Sequence, residues 1–351
     1  MMLSQFPSIK PNEHVLSVAA RACRLSGART VTHYFRNSLQ VDPKLKPLSF
    51  VLHPVQQAVI SIYAQIYQRD PHELLWMHTN LRYFFNALPE LLQSFLMDSM
   101  TTKRWPQRLE RAPTKSGANL ERAWRWCTIC AKADDAQYGF AYWHVDHQFP
   151  GLVHCPNHPG TALLDRCHHC GNAHTSLESL ALPPIDGRCM YCNTLAQTPP
   201  PPSEGLRRLE QDTLDWIKTE PGLFSEKELR CRYWEAAHRR GRIGTVDITP
   251  LTAMADCTLH ARLQPQFERC HGKELLTTVA RTYRYQGQTR QHRVLLHPLM
   301  KGDRLFHPAQ HLLAMRFFAG SVREFVAAPQ RVHPPSAPHA ALSFLREIRS
   351  R

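Results

Sequence analysis

Between positions 127 and 192 the chain places four pairs of metal-binding side chains: Cys127-Thr-Ile-Cys130, Cys155-Pro-Asn-His158, Cys167-His-His-Cys170 and Cys189-Met-Tyr-Cys192. Two residues between partners let one tight turn aim both at a single tetrahedral ion, the half-site spacing of zinc proteins. Eight ligands fill two Zn²⁺ sites. The simplest grouping is sequential, Cys127, Cys130, Cys155 and His158 around one ion and Cys167, Cys170, Cys189 and Cys192 around the other. A cross-braced grouping, or His168 or His169 standing in for a neighbouring cysteine, also satisfies the spacing. Four protein ligands leave no coordination position for water or substrate, so the sites read as structural. In a reducing compartment these thiols stay out of disulfides, and binding an ion supplies folding free energy. Cys23, Cys231, Cys257 and Cys270 fall outside the pattern and read as small buried hydrophobes.

A second group with possible chemistry is His144, Asp146 and His147, which could hold a catalytic metal or exchange protons. Set in an aromatic run between zinc half-sites, it reads instead as packing around a metal shell. The phosphate-cradling pattern Gly-x-x-x-x-Gly-Lys-Ser/Thr is absent from the sequence, and no nuclease-type carboxylate cluster stands out. The expectation is a protein that binds and does not catalyse. Its formal charge of +14, from 43 Lys and Arg against 29 Asp and Glu, points to a polyanionic partner such as nucleic acid. Arg239, Arg240 and Arg242 close one predicted helix, where they either meet phosphate or simply complement the helix dipole. Arg281, Arg284, Arg290 and Arg293 lie on a predicted hairpin.

These residues need elements to hold them, and the pattern predicts a mainly α chain with small zinc-ribbon β elements. Helices are expected from about Glu13, with Asn12 as N-cap, to Leu25; from Thr30 to Leu39; from Pro54 to Tyr67, with Val55, Val59, Ile62 and Ile66 on one stripe; from Pro71 to Met77; and from Pro89 to Met100. They make an N-terminal helical domain over 1–100, whose first pair has helix-turn-helix proportions. A basic connector follows over 101–125; it reads equally as an ordinary solvated linker or as a segment lying along a phosphate backbone with Trp105 and Trp124 stacking on exposed bases. The double zinc-binding core takes 126–198, and the proline run 199–204 is a linker. Over 205–328 a helical C-terminal domain is expected. Its features are a Ser225–Glu228 capping box, helices from Thr249 toward Leu259 and from Pro265 to Leu276, and a hairpin from Val279 to Leu296 turning at Gln286-Gly287-Gln288. Helix, helix and basic hairpin would be a winged helix. A further helix pair, Pro308–Ala319 and then from Ser321, ends the domain, and 329–351 is a tail. No stretch reaches the ~20 apolar residues of a spanning helix, and the N-terminus lacks signal-peptide character, so a cytoplasmic, nucleoid-associated protein is expected.

The run Arg125-Trp126-Cys127 to Cys130, then Tyr138-Gly-Phe-Ala-Tyr-Trp-His-Val-Asp-His-Gln-Phe-Pro-Gly151, then Cys155-Pro-Asn-His158 and Leu163-Leu164, resembles the TniQ/TnsD family of transposon target-selection proteins. Pro11-Asn-Glu-His-Val-Leu-Ser-Val-Ala-Ala-Arg21 and His307-Pro-Ala-Gln-His-Leu-Leu313 are similar to that family as well. Thr128 stands where the family commonly has proline. The resemblance implies a selector of insertion sites for a cut-and-paste transposon that recruits an AAA+ ATPase regulator. It implies two routes to the site: association, as a dimer, with a CRISPR RNA-guided Cascade complex and its guide RNA, or direct binding of a specific double-stranded DNA sequence. The chain length is nearer the first. A zinc-containing transcription regulator is the third reading.

Overall fold

A computed structural model describes residues 6–28, 30–38, 40, 54–102, 123–173, 182–241, 257–280, 282–285, 288–291, 294–301 and 306–328. The helices are α1 (Val15–Leu25), α2 (Val31–Ser38), α3 (Pro54–Tyr67), α4 (Pro71–Met77), α5 (Leu81–Phe84), α6 (Glu90–Thr102), α7 (Thr128–Tyr138), α8 (Glu204–Ile217), α9 (Glu226–Gly241), α10 (Cys257–Val279), α11 (Leu296–Lys301), α12 (Pro308–Ala319) and α13 (Val322–Ala327). One antiparallel hairpin, β1 (Thr282–Tyr285) and β2 (Gln288–Gln291), is the sole named sheet among the described residues. The chain is mainly helical, as its patterning predicts. It divides into two compact units. The first holds the described residues up to Leu81, from Met97 to Thr102 and on to Pro201; the second holds Arg82–Leu96 and the described residues from Pro202 onward.

In the first unit α1 is enclosed on nearly every side, with Val15 through Cys23 all buried. Ser17 and Arg21 are buried along with the apolar residues because their polar atoms find partners inside the unit, Ser17 Oγ at Trp143 N and Arg21 at Glu13. Its start differs from the expected one. Asn12 takes a left-handed conformation (φ 57°), and His14 is the N-cap, its Nδ1 accepting from Leu16 N at 3.2 Å. Asn12 is spent elsewhere, donating through Nδ2 to Asp146 Oδ2 at 2.8 Å. α3 packs on α1 and α4. Its buried face is Val55, Val59, Ile60 and Tyr63, rotated from the expected stripe, and leaves Ile62 and Ile66 half-buried. Asp70 caps α4, accepting from His72 N at 2.7 Å with Pro71 in the first turn.

In the second unit α12 is the central helix and packs against α8, α9, α10 and α13. α9 opens with the predicted capping box: Ser225 N donates to Glu228 Oε2 at 2.8 Å and Glu228 N to Ser225 Oγ at 3.1 Å. Gly320 (φ 91°) ends α12, and a Cβ there would lie 2.7 Å from Glu324 Oε2. Asp212 is buried on α8, ion-paired to Arg316 and accepting from Val322 N at 3.1 Å, which ties three helices together. Arg82–Leu96 joins this unit through polar anchors. Trp216 Nε1 donates to Tyr83 O at 2.7 Å, and Asn86 accepts from Gly222 N at 2.8 Å while donating to Glu220 O at 3.0 Å.

The winged-helix expectation changes in detail. The stretch 257–279, α10, is two helical segments that meet at a non-helical Gly272 (φ 74°, ψ 154°), inside the expected reading helix, with Pro265 in the first segment. Val279 ends that helix rather than starting a strand. β2 begins at Gln288, and Leu296 opens α11. Residues 249–256, the start of the expected preceding helix, lie outside the described residues.

Candidate metal centres and nucleic-acid interface

The eight ligands fall into two clusters, Cys127, Cys130, Cys155 and His158 in one and Cys167, Cys170, Cys189 and Cys192 in the other, each with donor atoms within 4.8 Å of one another. The structure therefore groups them sequentially. Cys127 sits at the N-cap of α7 and Cys130 in its first turn, where the helix dipole favours thiolate. The other three pairs share one device, a tight turn closed by backbone bonds and flanked by a short bridge. Cys155 N donates to Thr161 O at 2.8 Å beside the His154↔Ala162 bridge, Cys167 N to Asn172 O at 2.8 Å beside Arg166↔Ala173, and Cys189 N to Thr194 O at 2.9 Å beside Arg188↔Leu195. Gly171 (φ 71°) and Asn193 (φ 57°), each four residues after its first cysteine, supply the left-handed residue that the turn requires. These bridges are the zinc-ribbon elements expected from the sequence.

Donor geometry tests whether an ion fits. With Zn–S near 2.3 Å and Zn–N near 2.0 Å, tetrahedral coordination separates two sulfurs by about 3.8 Å and sulfur from nitrogen by about 3.5 Å. Cys130 Sγ and Cys155 Sγ are 3.6 Å apart, and His158 Nδ1 lies 3.6, 3.3 and 3.5 Å from Cys127, Cys130 and Cys155. In the second cluster Cys167–Cys192 and Cys170–Cys189 are each 3.6 Å apart. Both donor sets fit zinc. Hydrogen bonds from the Cys130 and Cys155 thiols pull Cys127 well below the usual thiol range, and Thr194 pulls Cys192 down to about 5, whereas hydrogen bonding to Cys127 pushes Cys130 and Cys155 up and burial pushes Cys189 up to about 11. One thiolate per cluster is thus favoured by its neighbours, and the others need the charge of a bound ion. The clusters differ in exposure. Cys127, Cys130 and Cys155 are buried, whereas Cys170 is exposed and Cys189 and Cys192 are half-buried.

The Pro11–Arg21 and Tyr138–Gly151 motifs meet beside the first cluster, while His307–Leu313 belongs to the second unit. His14 N donates to Trp143 O at 2.8 Å, Trp143 N to Ser17 Oγ at 3.1 Å, Val145 N to Asn12 O at 2.8 Å and Tyr142 OH to Pro11 O at 3.0 Å. Glu13 and Arg21 form a buried two-point ion pair, Nε to Oε1 at 2.8 Å and Nη2 to Oε2 at 2.6 Å, with the guanidinium 4.6 Å from the Phe140 ring centroid. Burial outweighs the guanidinium and holds the Glu13 carboxyl above its usual range. Gln148 acts like a strand neighbour of Arg125, accepting from its N at 3.0 Å and donating to its O at 2.8 Å.

His144, Asp146 and His147 have internal partners. His144 Nε2 pairs with Asp134 Oδ2 at 2.8 Å, Asp146 accepts from Asn12, and His147 Nε2 faces Cys155 Sγ at 3.4 Å. Burial lowers His147 to about 3, so it is neutral. Trp124, for which base stacking is one of two readings of the sequence, is buried against Trp143 and His14 with centroids 5.3 and 5.0 Å away, which removes the stacking reading for it. Trp105 and the connector over 103–122 lie outside the described residues. Of the other cysteines, Cys23 is buried, Cys231 half-buried and Cys270 exposed, so the buried-hydrophobe reading fails for Cys270.

Of the seven arginines singled out, Arg239 and Arg240 have described side chains. Arg240 donates to Phe317 O at 2.6 Å with its guanidinium 4.2 Å from that ring centroid, and so serves packing. Arg239 Nε reaches Glu235 O, one turn back, at 3.4 Å. Arg284 pairs in register with Thr289 and Arg290 with Tyr283 on the hairpin. Arg242, Arg281 and Arg293 lie outside the described residues.

The first unit is thus a helical body braced by a Cys₃His ribbon, with a second, Cys₄ ribbon following it. Residues 4–160 match the family model of TniQ, and the chain carries that domain. The match takes in the Pro11–Arg21 motif and the whole first cluster; the second cluster and His307–Leu313 lie beyond it. No curated protein matches the chain. A TniQ domain associates the chain with transposition, in a target-selecting or DNA-binding role. None of the helices described is long and apolar enough to cross a membrane.

Proposed function

We propose that this protein is a non-catalytic target-site selector of a cut-and-paste DNA transposon, working as a dimer with a CRISPR RNA-guided Cascade complex and recruiting an AAA+ ATPase regulator. Two structural Zn²⁺ ions hold it together, one on Cys127, Cys130, Cys155 and His158 and the other on Cys167, Cys170, Cys189 and Cys192. The observation that carries this reading is the TniQ match over a unit whose polar motif residues are consumed in holding the first cluster to α1. The second ribbon supports a protein partner. Met190, Tyr191 and Leu195 are exposed there beside a groove of about 620 Å³ lined by Phe140, Pro184, Ile185 and Arg188, and clustered exposed apolar side chains mark interaction surfaces.

Direct recognition of a duplex sequence is the second reading, favoured by the larger basic excess after the proline run, 24 Lys and Arg against 15 Asp and Glu. Titrating purified protein with a candidate insertion site and with random duplex across salt concentrations separates the two. Affinity that is weak, sequence-blind and steeply salt-dependent, together with copurification on a guide-RNA complex, supports the adaptor. A specific site favours direct recognition. Association with neither a transposase operon nor its ATPase would leave transcriptional regulation.

A further inference from the structure

We infer that His147 is a positioning residue for the first metal centre, donating an N–H···S hydrogen bond to the Cys155 thiolate and thereby slowing release of the ion. The inference rests on zinc being held at that cluster.

The two nearby histidines differ in geometry. His158 Nδ1 is close to equidistant from three sulfurs, at 3.6, 3.3 and 3.5 Å, which is where the fourth vertex of a tetrahedron belongs. His147 Nε2 lies 3.4 Å from Cys155 Sγ. It stands outside the cluster on one sulfur, at ordinary N–H···S distance. A metal-bound thiolate only accepts, so the proton must sit on Nε2 and His147 is the donor. Such a donor spreads the thiolate's charge and fixes the ligand's direction, the role that outer groups have in metal sites.

The chain takes pains to hold this ring. The short turn Asp146–Gln148 carrying it is gripped at both ends. Asp146 bonds to Asn12, and Gln148 Nε2 donates to Arg125 O at 2.8 Å and to His144 O at 3.0 Å. The His144 ring lies against it, centroids 4.7 Å apart, and is itself fixed by Asp134. At the second cluster the sulfurs meet lesser donors, Asn172 Nδ2 on Cys170 and the Tyr191 backbone N on Cys189, each at 3.4 Å and in exposed surroundings.

The test uses the full chain and follows zinc transfer to a chromogenic chelator, with the second ion as internal control. His147→Phe, which keeps the ring's bulk and loses the donor, is expected to speed release of one ion by about 10- to 100-fold and leave the other unchanged. His147→Gln, which offers an amide N–H, is expected to restore most of the retention. In the cobalt-substituted protein the thiolate-to-metal absorption should move to longer wavelength in the Phe variant and stay near the wild-type position in the Gln variant. A filling role alone would not move that band. Wild-type release and spectrum in the Phe variant would overturn the inference, as would loss of one bound ion in both variants, since His147 would then be a ligand. A wild-type chain that binds no zinc would overturn the metal reading itself.

Discussion

Replacing Arg21 by Met tests how the N-terminal motif holds the first unit. Glu13 is fully enclosed, and its two oxygens are met by Arg21 at 2.8 and 2.6 Å and by Lys10 N at 2.9 Å. Met fills the volume over Phe140 but leaves the carboxylate without a countercharge, and an abandoned buried charge costs about 3–5 kcal/mol. The pH dependence fixes the mechanism. Burial already sets the folded Glu13 above its unfolded value, so the native state holds this proton more tightly than the unfolded chain; the stability this contributes is present at low pH and is lost as pH rises through the folded pKa. Without Arg21 that pKa climbs further. The deficit of Arg21→Met relative to wild type should be largest at alkaline pH and shrink on acidification as the orphaned carboxyl takes a proton. The double variant Arg21→Met/Glu13→Gln should recover most of the loss at neutral pH. Hydrogen exchange of amides in α1, compared between variants at each pH, reads these differences within the first unit. A deficit below about 1 kcal/mol, or one that grows on acidification, would refute the reasoning.

Other expectations follow from exposure and burial. Elemental analysis should find two zinc ions per chain, and a mild chelator should remove the ion from the second cluster, where only Cys167 is buried, before the first, where only His158 is not; simultaneous loss would contradict the difference in exposure. Arg240→Ala should cost about 1–2 kcal/mol of second-unit stability by losing its bond and stacking on Phe317, and leave random-duplex affinity unchanged in an anisotropy titration. Burial depresses His271 and His311 to about 4, below the unfolded value near 6.5, so their contribution is complete above pH 6.5 and is lost as pH falls toward 4. Unfolding of the second unit followed at pH 7, 5.5 and 4.5 should show that decline, and a flat profile would count against neutral buried imidazoles.

The metal ligands were legible because chelation leaves a rigid mark on spacing, and the capping box at Ser225 because its two bonds are local. Helix existence followed from apolar periodicity. Long-range consumption of polar groups was not legible. Asn12 looks like an N-cap in sequence, and only the fold shows its amide reaching Asp146, 134 residues away. Trp124 looks like a stacking platform until Trp143 covers it. The burial of Asp212 is intelligible only once Arg316 and Val322 N, more than a hundred residues on, come to meet it. Nothing in 82–96 announces that Tyr83 O and Asn86 serve Trp216 and Gly222.

The distribution of polar partners also bears on where binding can occur. Polar residues in a family-like motif invite assignment to a ligand, but Asn12, Glu13, Arg21, His144, Asp146 and Gln148 each hold another part of the same unit. A side chain whose hydrogen-bonding capacity is spent inside the fold can leave it for a phosphate or a base only by exposing an unpaired partner, at a cost of about 1–3 kcal/mol per broken bond. The motif therefore preserves the relation between α1 and the first ribbon, and recognition falls to groups that remain accessible. Arg240 is exposed but spends a donor on Phe317 O and lies over that ring. The Met190–Tyr191 turn of the second ribbon is exposed, and the hairpin β1–β2 carries Arg284 and Arg290. One is cationic and the other apolar, so the nucleic-acid and protein contacts of the proposed function call for different surfaces, and substitutions should separate them. Arg284→Ala with Arg290→Ala should weaken duplex binding and spare protein association, while Met190→Ser with Tyr191→Ser should do the reverse. Both losses from either pair would mean that the two surfaces act as one.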